Sequence, residues 1–189
     1  MQDTLRQYDQ ILAHCRALFL AKHHDYGPAW RVLRMPALTD QIYIKAGRIR
    51  SIQETGKNQV GDSIEGEFVG IVNYCIIALM QLHLQKLTPA EAENILSQAD
   101  VLAASYDHQA SEARTTMIAK NHDYGEAWRQ MRIRSMTDLI LMKIFRLKQI
   151  ENLRGEVRVS EGVEANYIDI LNYAAFCLIR IGEGADSLD

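Results

Sequence analysis

The feature that most constrains this chain is that it says nearly the same thing twice. "AKHHDYGPAWRVL" at residues 21–33 returns as "AKNHDYGEAWRQM" at residues 119–131. Shifted by 98 positions, Tyr8-Asp9 meets Tyr106-Asp107, Arg16 meets Arg114, and Lys22 meets Lys120. Arg34, Thr39-Asp40, Ile42, Lys45, Arg48 and Ile52 also find identical partners. Residues 8–52 give 19 identities in 45 positions, where residue usage alone would give about three. After one extra residue in the second copy, Glu65 meets Glu164, Ile71 meets Ile170, and Asn73-Tyr74 meets Asn172-Tyr173. A repeat of this kind sets the architecture before any single residue does.

Each copy reads as three helices, and neither shows the period-2 alternation of a strand. The first helix is expected over about residues 3–23 and 100–120, ending at the His-Asp-Tyr-Gly turn, where glycine supplies a left-handed terminator. The second is expected to begin at Thr39 and Thr137, each a threonine N-cap followed by an acid. The third, "SIEGEFVGIVNYCIIALMQLHL" or "EGVEANYIDILNYAAFCLIRI", is apolar almost all round and so belongs in the core. A linking helix should start at Thr88, where "TPAE" offers a threonine N-cap, proline at the first position and glutamate at the third. The expected fold is all-α: a pseudo-twofold helical bundle from two tandem three-helix repeats. Residues 1–87 form the first repeat, and residues 88–189 the linking helix and second repeat, in one compact bundle. The duplication can stand in for a homodimer of single units, so monomer and homodimer both fit.

Composition narrows the function. A net charge of -3 with no basic stripe disfavours nucleic acid as a partner. No apolar run is read as long enough to cross a membrane, and "MQDTLRQYDQ" lacks the apolar core of a signal peptide. A cytoplasmic protein is expected. Cys15, Cys75 and Cys177 are odd in number and far apart, which suits buried reduced thiols.

Polar residues inside the apolar third helix single themselves out. Glu161, Glu164, Asp169 and Asn172 fall on one face about 140° wide at about 100° per residue. Three carboxylates there suit a hard cation such as Mg²⁺; they equally suit acids favouring the helix dipole and a buried Asp paired with a base. Lys143 and Arg146, with Lys45 and Arg48 in the first copy, could hold phosphate or pair with Asp169 and Glu164. The turn offers His122, Asp123 and Tyr124, with His24, Asp25 and Tyr26 in the first copy, as ligands or as cap, Asx turn and anchor. Arg31 and Arg129 are candidate phosphate partners. The copies differ in the third helix: Asp169 is replaced by Gly70, Asn166 by Glu67, and Glu161 by Asp62. Losing the interior Asp reads as a weaker or structural first site, which places a single active site on the second copy.

The order "K-N-H-D-Y-G", then "T-D…K-x-x-R", then "E-x-x-x-x-D-x-x-N-Y" resembles the nucleotide-modification-associated domain of phages and bacteria. Lys120, Asp123, Tyr124, Gly125, Lys143, Arg146, Glu164, Asp169, Asn172 and Tyr173 carry the match in the second copy. Lys22 to Arg48, Glu65, Asn73 and Tyr74 carry it in the first. The resemblance implies nucleotide or modified-base metabolism. A more distant likeness, to MazG-like all-α nucleoside triphosphate pyrophosphohydrolases, rests on the Glu164–Asp169 segment. That class has an ExxE helix where Lys143 and Arg146 stand here.

The expected function is therefore a nucleotide-binding protein, its ligand a nucleotide or other phosphorylated small molecule. In the catalytic version it is a Mg²⁺-dependent pyrophosphohydrolase. Glu161, Glu164 and Asp169 would hold the metal. Lys120, Lys143 and Arg146 would neutralise phosphate, with His122, Asp123, Tyr124, Arg129 and Asn172 completing the site. The alternative is a non-catalytic interaction module whose charges form buried ion pairs.

Overall fold

The computed structural model describes residues 2–153 and 162–189. Among them lie seven α-helices, two short 3-10 turns and no strand. Helix α1 (Gln2–Tyr26) leads through a turn at Ala29–Val32 into α2 (Met35–Thr55) and α3 (Ile64–Leu84). The short α4 (Pro89–Ser97) links to α5 (Ala99–Tyr124), the turn Ala127–Gln130, α6 (Ile133–Asn152) and α7 (Val163–Gly182). The second repeat thus retraces the first, element by element.

Two boundaries differ from the sequence expectation. The first helices run on through His-Asp-Tyr and stop only at glycine. Gly27 and Gly125 both sit at φ 60°, and their N–H groups close the last turn on His23 O and Asn121 O at 2.8 and 3.0 Å. The turn motif is therefore the final helical turn and its left-handed stop. The second helices start four residues before the threonines. Arg34 and Arg132 stand at the N-caps without a side-chain cap, while Thr39 and Thr137 are wholly buried. Thr39 Oγ1 lies 2.6 Å from Glu151 Oε1 and 2.7 Å from Tyr167 OH. Thr137 faces a repeat with Phe68 in place of Tyr167, and its hydroxyl bonds back to Ile133 O at 3.1 Å. The capping box at Thr88 forms as expected, with Thr88 and Glu91 satisfying each other's backbone N–H.

Helices α3 and α7 pack on each other at the centre, with α2 and α6 on one side and α1 and α5 on the other. Ile71, Ile76, Ile170 and Leu171 are fully buried in this seam. Each such side chain contributes about 1.5–3 kcal/mol by leaving water. Helix α3 is long and apolar enough to cross a membrane by length and composition alone, against the expectation that no run would be. Its apolar surface is instead mostly covered by α7, α2 and the first helices. The three cysteines are free and buried, and burial pushes the Cys15 thiol up to about 12.

The repeat identities outside the turn motif brace one half against the other. Tyr8 of α1 donates to Asn172 Oδ1 of α7 at 2.5 Å, and Tyr106 of α5 donates to Asn73 Oδ1 of α3 at 2.8 Å. Each asparagine then donates across its own repeat, Asn172 to Ala113 O at 3.2 Å and Asn73 to Cys15 O at 3.1 Å. Arg16 forks onto Asp107 at 2.6 and 3.0 Å, and Arg114 onto Asp9 at the same distances. On the opposite layer, Arg50 lies 3.6 Å from Asp138 and Lys148 lies 2.5 Å from Asp40. The acid after each threonine thus pairs with the other repeat instead of capping a helix. Every one of these contacts has a counterpart under the pseudo-twofold.

Candidate functional site

Each repeat builds one cavity between the end of its first helix, its 3-10 turn, and its second and third helices. In the second repeat the cavity is about 350 Å³. Lys120 reaches it from the last turns of α5, Lys143 from α6, and Asp169, Asn172 and Tyr173 from α7. Trp128 forms a wall, stacked on Phe176 with ring centres 4.3 Å apart and planes 3° apart. Tyr124 stands at the rim, 72% exposed. Lys143 Nζ lies 2.8 Å from Asp169 Oδ2, and Lys120 Nζ bonds the other oxygen, Oδ1. One carboxylate therefore bridges two ammonium groups. Asp169 and Lys143 are nearly buried, whereas half of the Lys120 side chain is exposed.

The first-repeat cavity is about 390 Å³ and is lined by the matching residues Lys22, Tyr26, Trp30, Lys45, Asn73 and Tyr74. Gly70 stands where the second repeat has Asp169. The acid of this half is Glu67, one helical turn earlier, where the second repeat has Asn166. Lys45 Nζ lies 3.0 Å from Glu67 Oε2, and Arg48 bonds the other oxygen. Arg48 also donates to Asn58 Oδ1 and Asp62 O, at 2.9 and 3.2 Å, and so ties down the loop between α2 and α3. Asn166 turns to its own backbone, donating to Gly162 O at 2.7 Å. Both indole N–H groups, of Trp30 and Trp128, are buried without a hydrogen-bond partner among the described residues.

The other sequence candidates separate into several groups. Glu164 is exposed and faces Lys86 at 2.6 Å, away from the Asp169 bridge. Glu161 lies outside the described residues. Lys143 meets Asp169, as one sequence reading had it. Arg146 is exposed and does not line the cavity. His24 pairs with Asp25 and His122 with Asp123, each at 3.1 Å and exposed, and none of the four lines either of these two cavities. Glu65 is exposed beside the N-terminus of α3. Asn73 and Asn172 line the cavities, yet their amides serve the brace between repeats.

Arg129 is a structural clamp: it donates to Glu183 at 2.8 Å, Gln7 at 2.8 Å and Thr4 at 2.5 Å, with its guanidinium 4.5 Å above the Trp128 ring. Arg31 is held by Gln81, which also donates to the carbonyls of Arg31 and Leu33 at 3.4 and 3.0 Å. At the equivalent place in the second repeat, Arg180 donates to the carbonyls of Arg129 and Met131. The third helix thereby fixes the 3-10 turn that carries each tryptophan.

Sequence reasoning missed Glu67 as the partner of Lys45 and Arg48, and the Tyr74 and Tyr173 walls; for Trp128 it leaves base stacking and core anchoring both open. The signal for Glu67 was present. A Glu three residues before Gly70 stays on the same helix face as an Asp at that place, so the acid has moved by a turn and has not been lost.

Among the described residues, which leave out Glu161, no donor set for Mg²⁺ is assembled. Among the described residues no three His, Cys, Asp or Glu side chains come together to hold a metal. The one buried acid of the second cavity already faces two cations. A divalent ion brought to that carboxylate would meet two ammonium groups at contact distance, which is repulsive.

The architecture is that of an all-α tandem-repeat protein with a matching cavity in each repeat. Compared with known families, the chain matches Nucleotide modification associated domain 1 twice, over residues 22–82 and 120–181. The two matches span each unit from the cavity lysine of the first helix to the end of the third helix. The chain belongs to this family. No curated protein and no solved structure matches it.

Proposed function

We propose that the protein binds a nucleotide, or a closely related phosphorylated small molecule, in a cavity beside one of its third helices. The observation that carries this reading is the pairing, in both repeats, of two lysines from different helices with an aromatic wall: Lys22 and Lys45 with Trp30, and Lys120 and Lys143 with Trp128. Ammonium groups suit phosphate oxygens. Tryptophan and tyrosine faces suit a base, which every nucleotide offers as a flat π-surface. Cavities of about 350 and 390 Å³ are large enough for a small ligand. The family description, which speaks of nucleotide modification, agrees with such a ligand. Because the described residues do not assemble a Mg²⁺ site, no hydrolytic step is assigned to them.

Trp30 and Trp128 are the chain's two tryptophans, and each lines a cavity. Intrinsic fluorescence therefore reports on both sites directly. Common and base-modified deoxynucleotides should change the emission and raise the melting temperature, while sulfate at equal ionic strength should not. A panel that moves neither signal would defeat the reading. The Lys143–Asp169 pair favours a second reading, in which these charges only brace the bundle. That version predicts that substitutions at Asp169 change stability and leave nucleotide titrations untouched.

A further inference from the structure

Resting on the nucleotide-binding reading, we propose that the ligand's anionic group sits in the first-repeat cavity, and that Asp169 is a built-in carboxylate filling the corresponding seat of the second. The repeats supply an internal control. In the second, the Asp169 carboxylate bridges Lys120 and Lys143. The same two lysines exist in the first as Lys22 and Lys45, but the residue between them is Gly70. No carboxylate is among the residues lining that cavity, because Glu67 has moved one turn along α3. Lys22 makes no ion pair or hydrogen bond among the described residues. What the second repeat carries covalently, the first lacks: an anion between two ammonium groups.

Space and charge agree. A Cβ built on Gly70 would stand 2.6 Å from Lys45 Cε, 2.8 Å from its Cδ and 3.0 Å from its Nζ, so the end of the Lys45 side chain lies where a side chain at this position would begin. The contact is with the end of a flexible side chain, which can swing aside. The first cavity is walled by two positive charges and no negative one; the second adds the Asp169 carboxylate. A phosphate entering the second cavity would be brought up to that carboxylate, a like-charge contact. In the first it would be drawn between Lys22 and Lys45, over Trp30 and Tyr74. This places the anion site on the repeat that, from its missing Asp, reads as the weaker one.

The experiment compares Gly70→Asp with Gly70→Asn, two side chains of nearly equal size that differ in charge. Calorimetric titration of each full-length variant with deoxynucleoside mono- and triphosphates, and with the phosphate-free nucleosides, reads affinity and stoichiometry. Circular dichroism confirms the fold. The wild type is expected to bind one phosphorylated ligand per chain. Gly70→Asp should weaken it at least tenfold, and Gly70→Asn less than threefold. The double variant Asn166→Glu with Asp169→Gly gives the second repeat the first repeat's arrangement, and should add a second equivalent of bound nucleotide. Nucleotides that bind with equal loss in both Gly70 variants, or with no loss in either, would overturn the assignment and leave nucleotide binding standing. So would a folded double variant that binds no second equivalent. If no phosphorylated compound binds the wild type, both proposals fall together.

Discussion

The first repeat keeps its buried carboxylate at Glu67, one turn into the third helix; the second keeps it a turn further on, at Asp169. The Tyr–Asn bonds, the Arg–Asp forks and the α2–α6 ion pairs that join the halves are mirrored, whereas Thr39 meets Glu151 and Tyr167 across the repeats and Thr137 bonds back to its own helix. At the cavities themselves, the difference in charge lies on one face of the third helix. A duplicated chain can hold much of its fold constant through reciprocal contacts and still give its two cavities a different charge by exchanging two pairs of residues. Identity between repeats thus marks the frame as well as the site, and inequality marks where the sites diverge.

The largest effect that sharpens this comparison is expected on removing the buried acids. Asp169→Ala takes away the carboxylate shared by Lys120 and Lys143, and breaking a buried pair costs about 3–5 kcal/mol. Glu67→Ala should cost a similar amount, because Glu67 and Asp169 keep only 8% and 12% of their side chains exposed and each pairs with two cations. Urea unfolding of the two variants measures both, and a marginal loss in either would show that its ion pairs do not brace the bundle. Next come Tyr8→Phe and Tyr106→Phe. Each removes the hydroxyl that Asn172 or Asn73 accepts from, at an expected cost of about 1–3 kcal/mol. The two losses should agree within experimental error; a clear inequality would show that the brace is not twofold.

Smaller still, Arg16→Ala and Arg114→Ala each open a half-exposed Arg–Asp fork, worth about 0.2–1 kcal/mol. Raised salt should erase that difference, because such pairs are screened. The least effect is a change of slope. Burial raises the Glu151 carboxyl above its ordinary value, partly offset by the Thr39 hydroxyl. A folded-state value above the unfolded one means that the folded protein holds this proton more tightly. Its contribution is therefore complete below the ordinary glutamate range and lost as pH rises through the raised value. Glu151→Gln should flatten the pH dependence of the melting temperature just above the ordinary glutamate range and change nothing well below it. An unchanged slope would contradict the burial argument.

The sequence disclosed the three-helix unit, its doubling and the central place of the third helices, because each rests on local patterning that repeats. Lys143 with Asp169 was legible as a pair of opposite charges on facing helices. The helix starts at Met35 and Ile133 were not. Thr39-Asp40 and Thr137-Asp138 carry the signature of a cap, yet Thr39 meets Glu151 and Tyr167, Thr137 bonds back to Ile133 O, and the acids meet the other repeat. Local signals cannot show a partner about a hundred residues away. For the same reason Asn73 and Asn172 read as ligand groups until Tyr106 and Tyr8 arrive beside them. The exchange of Glu67 and Gly70 for Asn166 and Asp169 was visible position by position. Its meaning needed the geometry, in which an acid displaced by one turn still reaches the same lysine but leaves the cavity wall.

The bond from Tyr8 to Asn172 joins residues 164 positions apart. During synthesis, α1 and α3 leave the ribosome long before α7 exists, so the most apolar helix of the first half must wait for its principal neighbour. Chain closure over such a distance is slow compared with local helix formation, and exposed apolar surface in the interval invites aggregation. A fragment truncated after the first repeat is accordingly expected to associate with itself or with a chaperone, whereas the same fragment supplied with residues 88–189 in trans should assemble into the bundle.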